Sequence, residues 1–329
     1  MATSLRTQVP DRTSPAPAAK SALAPATGVA PANAGTPSTE RARYFDSGNA
    51  FALKYPPVPP HQFLAERDLA FDPATATGLI ALDLSDRLGT RFPATTPLML
   101  TRYARIRAGE RLTTRFKASG ELYYVFEGSG QTLSGAERIG WGPGDVFCLP
   151  GGGETIHLAG TEDAVLWVTT NEPELAFEHL EPPAPCNAVT RPVHYPAAEI
   201  RDQLARVAKK LERQKIAGLA LVFSSVDQAE RRNVLPSLTL AVNQLPPRDF
   251  QRPHTHNSAA ITLNLEGRNC YSMIDGERVD WQEHAVMVTP PGAVHSHHND
   301  GDSWMSCLIV QDGGLHYHCR TMDFRYADG

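Results

Sequence analysis

His254 and His256, two residues apart in Arg252-Pro-His-Thr-His256, are spaced for chemistry. On a β-strand, residues two apart project from the same face, so two imidazoles there can grip one ion. Further on, Pro290-Pro-Gly-Ala-Val-His295 places a third imidazole behind a tight turn. Neutral imidazole suits Fe, Zn, Cu and Ni. Three protein ligands leave coordination positions open, which describes a catalytic rather than a closed structural site. A lone His-x-His is a weak signal, because such pairs also occur in ordinary strands; the third histidine and its turn give this one weight.

These three side chains need strands to hold them. Ser237-Leu-Thr-Leu-Ala-Val-Asn243 reads as a strand leading into the pair, and Gly267 closes Leu265-Glu-Gly eleven residues beyond His256. Asp275-Gly276 is a hairpin signal, and Ala285-Val-Met-Val-Thr289 is an apolar run that ends at Pro290. If His254 and His256 face inward, strand parity turns Ala260, Thr262 and Asn264 inward too, with Tyr271 and Met273 expected on the next strand facing the same cavity. His284 stands where this turn usually has glycine, and local chemistry offers no reason for it.

This arrangement resembles the two-part cupin signature. His-x-His with a downstream glycine makes the first part. Pro290, Gly292, His295 and Asn299 match the second without a gap. The glutamate that most cupins carry after the second histidine is replaced by Ala260, which implies a three-histidine site. Within the cupins the chain resembles the gentisate 1,2-dioxygenase group, which includes salicylate and 1-hydroxy-2-naphthoate dioxygenases. The resemblance covers roughly residues 235–325 well and the remainder loosely.

It implies an all-β fold of two cupin barrels (double-stranded β-helix, jelly-roll) with a few peripheral helices. Residues 1–42, rich in Ala, Pro, Ser and Thr, are expected to be a disordered tail, because they cannot bury enough surface to offset their ordering entropy. Residues 43–180 would form an N-terminal cupin, 181–234 a linker, and 235–329 the metal-binding C-terminal cupin. In the linker, Ile200, Leu204, Val207 and Leu211 recur at helical spacing. In the N-terminal half, counting back from Gly128 puts Arg115 and Lys117 at the places of His254 and His256, with Glu121 at the glutamate position and His157 as the retained histidine. Two cations cannot hold a metal, so that barrel is expected to be metal-free.

For this chain the resemblance implies Fe(II) at His254, His256 and His295, with Mn, Zn or Ni as alternatives. It implies a dioxygenase that opens the ring of a hydroxylated or amino-substituted aromatic carboxylate with O₂. The alternative reading is a metal-dependent hydrolase, isomerase or decarboxylase acting on a small acid; a third is a binding protein without turnover. Arg252, Ser258, Thr262, Asn264, Arg268, Tyr271 and His297 are the candidate substrate-binding residues. Ser258 and Thr262 stand where gentisate-type enzymes have glutamine and arginine, which sets this chain apart from them. His316-Tyr-His318 repeats the pattern without a third ligand and reads as an ordinary strand pair.

Composition narrows the field. The net charge of −5 over 329 residues gives no reason to expect nucleic acid or an anionic membrane as partner. No apolar run is long enough to span a bilayer. Five scattered cysteines without a Cys-x-x-Cys pair suit a reduced, cytoplasmic setting. Paired cupins bury barrel faces against one another, so a homo-oligomer, dimer or tetramer, is expected.

Overall fold

The computed structural model describes residues 28–30, 32, 35–210 and 219–327. Most of the stretch expected to be a disordered tail, and Leu211 of the expected helix, lie outside the described residues. The chain divides into two units, Met1–Tyr55 and Pro56–Gly329. In the first, Pro37–Glu40 and Ser47–Ala50 are single helical turns. Thr36 starts one with a capping box, and the Asp46 carboxylate accepts from Asn49 N at 2.8 Å to start the other.

The second unit holds four antiparallel sheets in two pairs. A six-stranded sheet runs Val193–Tyr195, Val146–Pro150, Gly120–Glu127, Ala164–Thr170, Leu100–Ile106, Gly78–Ala81. It belongs with a four-stranded sheet of Arg111–Thr114, Thr155–Ala159, Gly130–Ser134 and Glu137–Trp141. The C-terminal pair repeats the plan. One sheet runs His61–Phe63, Val286–Thr289, Ala260–Glu266, Met305–Gln311, Thr239–Leu245, Leu219–Val222. Its companion holds Glu277–Asp280, Cys270–Ile274, His295–Asn299, His254–His256 and Phe324–Tyr326. No helix among the described residues is long and apolar enough to cross a membrane.

Strand parity sorts the side chains into three cores. Tyr123, Val125, Phe147, Leu149, Leu166 and Val168 fill the N-terminal barrel. Ala260, Met287, Cys307 and Ile309 fill the C-terminal one. Their alternates, among them Leu122, Val146, Trp167, Ile261, Leu263, Val286, Val288, Leu308 and Val310, form one continuous cluster in which the two large sheets meet. Both faces of these sheets are therefore buried, which explains why Val286–Thr289 is buried at every position rather than alternating. Each fully buried Val, Leu or Ile contributes roughly 1.5–3 kcal/mol.

Strands also cross the boundaries expected from sequence. His61–Phe63, from the N-terminal stretch, pairs with Val286–Val288 of the C-terminal barrel. Val193–Tyr195, from the linker, pairs with Val146–Cys148 of the N-terminal barrel. The linker helix Ala197–Lys210 buries Ile200 and Leu204, as its spacing requires. His284 now has a reason: it occupies a left-handed turn position (φ 60°), its ring stacks on Phe71 at 4.8 Å, and its carbonyl accepts from the Tyr103 hydroxyl at 2.7 Å. These contacts from the N-terminal barrel hold a backbone conformation that glycine adopts more easily.

The two barrels are an internal repeat with one shared polar chain. In the first, Trp141 Nε1 donates to Thr132 Oγ1 at 2.8 Å, and that hydroxyl lies 2.8 Å from His157 Nδ1. In the second, Trp281 Nε1 donates to Ser272 Oγ at 2.9 Å, and Oγ lies 2.7 Å from His297 Nδ1. The sequence separations are the same in both. His157 is thus the counterpart of His297, not of His295. Thr114 pairs with Thr155 in the first barrel as His254 pairs with His295 in the second. The counterparts of His254, His256 and His295 are therefore Thr114, Phe116 and Thr155. The alignment through Arg115 and Lys117 slips by one residue: both are exposed, whereas Thr114 and Phe116 are buried.

Candidate metal centre

The strand His254–His256 is only three residues long and lies between His295–Asn299 and Phe324–Tyr326. Register sets His254 directly opposite His295, and the two-residue period returns His256 to the same side. All three rings are at least nine-tenths buried. Their centroids are 4.3 Å apart for His254–His295, 4.6 Å for His256–His295 and 5.8 Å for His254–His256. One ring nitrogen from each lies within 4.8 Å of the others, and among the described residues this is the one group so arranged for a metal ion.

Backbone carbonyls orient each ring. Nδ1 of His254 lies 2.9 Å from Arg252 O, that of His256 2.8 Å from Ser258 O, and that of His295 3.0 Å from Ala293 O. A carbonyl only accepts, so each Nδ1 carries the proton and each Nε2 keeps its lone pair. The Gln311 side-chain amide donates to His256 Nε2 at 3.2 Å, consistent with that assignment. Burial lowers all three pKa values, to about 4 for His256 and about 2 for His295, and in those two the neighbouring imidazoles add to the effect. The cluster is neutral at pH 7, and its lone pairs are available for coordination. Ala260 turns inward at the usual glutamate position and supplies no oxygen. The donor set fits an imidazole-loving divalent ion, and it does not favour one that prefers oxygen.

Asp312 and His297 back the three rings. Asp312, buried, accepts from Ala259 N at 2.9 Å and so anchors the loop whose Ser258 carbonyl holds His256. Burial raises the Asp312 pKa to about 7. His297 is buried with its ring centroid 6.2 Å from that of His295. Burial lowers the His297 pKa to about 3.

A cavity of about 760 Å³ opens beside His254 and His256. Asn243, Gln251, Gln311 and Phe324 line it with them, and Arg231, Arg232 and Arg320 contribute cations.

The structure brings together only part of the set expected from sequence. Ser258 contacts the His256 ring, with Oγ 3.1 Å from its Nδ1. Thr262 and Asn264 face inward, as parity requires. Asn264 lines a separate cavity of about 340 Å³ with Arg268, Trp281 and Trp304. Arg252 is exposed, with its guanidinium 4.1 Å over the Tyr326 ring. Tyr271 does not face the cavity. Cys270, Ser272 and Ile274 take the inward positions of that strand, leaving Tyr271 to stack on His298 at 4.5 Å beneath Arg278. Met273 shares that outward parity. His316 and His318 lie on the helix Gly313–Cys319 rather than a strand.

Sequence reasoning passed over Gln311, Asn243, Gln251 and the three arginines. Leu240 and Val242 join the inter-barrel core, so the alternate position Asn243, in step with Leu245, turns to the barrel interior. Inward parity along Met305–Gln311 marks Gln311. The arginines lie outside the barrel strands and carry no such signal.

Comparison with known proteins agrees with this geometry. The family profile of the cupin domain matches residues 242–311. A gentisate 1,2-dioxygenase from Ralstonia sp is 24% identical over 138 residues, 42% of this chain and 39% of that protein. A 5-aminosalicylate 1,2-dioxygenase from Comamonas sp is 35% identical over 79 residues, 24% of this chain and 21% of that one. The chain thus aligns with less than half the length of these relatives. The salicylate 1,2-dioxygenase of Pseudoaminobacter salicylatoxidans, solved with gentisate, superposes with a TM-score of 0.68 over 84% of this chain and 87% of that one, at 14% identity. That likeness covers both barrels, and at such identity it speaks to the fold. The chain has the fold of two cupin-like barrels, and the second of them, which carries the three-histidine cluster, contains the stretch that matches the cupin domain and resembles the gentisate 1,2-dioxygenases.

Proposed function

We propose that this protein is a non-haem Fe(II) dioxygenase that opens the ring of a hydroxylated or amino-substituted aromatic carboxylate. The observation that carries this reading is the neutral triad, with three Nε2 lone pairs converging and no carboxylate ligand. Bound iron supplies the electron transfer that lets O₂ react with an otherwise inert aromatic ring. His254, His256 and His295 would hold it. They bring no charge, so they would leave the Lewis acidity of a bound ion uncompensated by a carboxylate. Gln311 is placed to hydrogen-bond a group beside His256. The cavity walls position the ring and limit water. The local likeness to enzymes named for gentisate and 5-aminosalicylate supports the substrate class. A cytoplasmic homo-oligomer accords with this reading.

The test is anaerobic reconstitution with Fe(II), then O₂ uptake with salicylate-, gentisate- and aminobenzoate-type acids, for the parent chain and His256→Ala. Iron-dependent uptake with a ring-opened product, lost in the variant, is the expected result. No uptake with any acid, alongside stoichiometric Mn, Zn or Ni binding, would move the assignment to a hydrolase, isomerase or decarboxylase.

A further inference from the structure

We infer that the substrate is recognised largely by residues outside the signature motifs: Arg231 and Arg232 of the inter-barrel segment and Arg320 after the C-terminal helix clamp its carboxylate, and the amides of Asn243 and Gln251 read a hydrogen-bond-donating ring substituent. This rests on the reading of the triad as a catalytic centre for an aromatic acid.

The charge of the cavity comes first. Its lining holds Arg231, Arg232 and Arg320 against one carboxylate, Glu230, and the neutral triad adds nothing. None of the three arginines pairs with a carboxylate among the described residues; Arg320 donates to the main-chain carbonyl of His318. A cavity with surplus guanidinium groups selects an anion, and the planar fork matches a carboxylate in two-point contact. Arg232 sits in the left-handed region, at φ 56°, whereas Arg320, at φ 60°, takes that conformation as the C-cap of its helix. Side-chain-bearing residues hold that conformation at a cost, and such residues gather at ligand sites. Arg252 and Arg268, the cations nearest the histidine motif in sequence, are not part of this lining.

The second observation is independent of charge. Asn243 Oδ1 and Gln251 Oε1 are buried atoms with no hydrogen-bond partner, and both residues line the same cavity. Buried carbonyl oxygens in native proteins are nearly always paired. A carboxylate cannot pair them, being an acceptor itself. The ligand must therefore also carry an N–H or O–H. Two unpaired acceptors match the two N–H groups of a ring amino substituent better than the single O–H of a phenol.

The experiment is calorimetric titration of the full-length chain, metal-free and anaerobically Fe(II)-loaded, with benzoate, hydroxybenzoates and aminobenzoates. Aminobenzoates are expected to bind most tightly and benzoate most weakly. Arg231→Ala/Arg232→Ala should weaken every acid by tenfold or more, with Arg320→Ala adding to the loss. Arg252→Ala and Arg268→Ala should bind as the parent. Asn243→Leu and Gln251→Leu should bring aminobenzoate down to the affinity of benzoate, and unchanged benzoate affinity certifies their fold. Parent-like affinity in the double arginine variant, or equal affinity for donor-bearing and donor-free acids in the parent, overturns the inference. Oxygen uptake separates the two readings. Selective binding without turnover on any metal leaves this inference standing and removes the dioxygenase; turnover with unchanged KM in the arginine variants does the reverse.

Discussion

His254 and His295 face each other across an antiparallel pair, with ring centroids 4.3 Å apart and each Nδ1 tied to a backbone carbonyl two residues before it. Backbone register, not side-chain adjustment, brings them together. Alanine at His254, His256 or His295 should therefore lower metal affinity at least about 100-fold, the upper end of what losing even a supporting partner costs. His316→Ala and His318→Ala, on the C-terminal helix, should load normally. Metal content after dialysis against a graded chelator reads both outcomes, and retained metal in a triad variant would remove the site.

Asp312 acts on His256 at one remove, through Ala259 N and the Ser258 carbonyl. Asp312→Ala frees that loop and should weaken metal binding about tenfold. Asp312→Asn keeps an acceptor oxygen and should stay within about threefold of the parent, each measured by chelator competition. Equal losses in both would mean that the negative charge, not the hydrogen bond, is what matters.

The repeated Trp–hydroxyl–His chain should stabilise both barrels. Ser272→Ala and Thr132→Val each strip the buried indole N–H of its acceptor, at an expected cost of about 1–3 kcal/mol. Urea denaturation of the metal-free chain measures it. A change below about 0.5 kcal/mol would show that the chain contributes packing alone.

Acid should destabilise the metal-free protein from about pH 6.5 downward. Burial lowers His157 and His297 to about 3, His256 to about 4 and His295 to about 2, so the folded state resists protons that the unfolded chain takes up. Each contributes roughly 1.4 kcal/mol per pH unit below the unfolded value. Glu121 and Asp312, raised by burial to about 8 and 7, act in the opposite sense. Between pH 6 and 5 the four imidazoles outweigh the two acids, and stability should fall with pH. Denaturation midpoints that stay level or rise on acidification would contradict this. Glu121→Gln should remove the loss of stability that its burial brings between pH 5 and 8.

Much of the candidate site was legible because its signals are local. The period-two spacing of His254 and His256, the turn before His295, the Asp275-Gly276 hairpin and the inward parity of Ala260, Thr262 and Asn264 all depend on neighbours along one strand. Both residues of that hairpin do take left-handed φ, 49° and 85°. Errors arose where a one-residue offset reverses a face. Counting back from Gly128 gave Arg115 and Lys117 for Thr114 and Phe116, and the same slip pointed Tyr271 inward although Cys270 and Ser272 take that side.

From sequence alone, the chain determined its all-β character and pointed to the three histidines that cluster, because hydrophobic alternation and turn chemistry are written in consecutive residues. Tertiary structure decided which strands complete which barrel, the contacts around His284, the Trp–hydroxyl–His repeat and the arginines beside the triad. His61–Phe63 reaches Val286–Val288 across more than two hundred residues, and Arg231 and Arg320 meet one cavity from separate segments. No local period encodes such meetings: they follow from the packing of two sheets whose both faces must be buried.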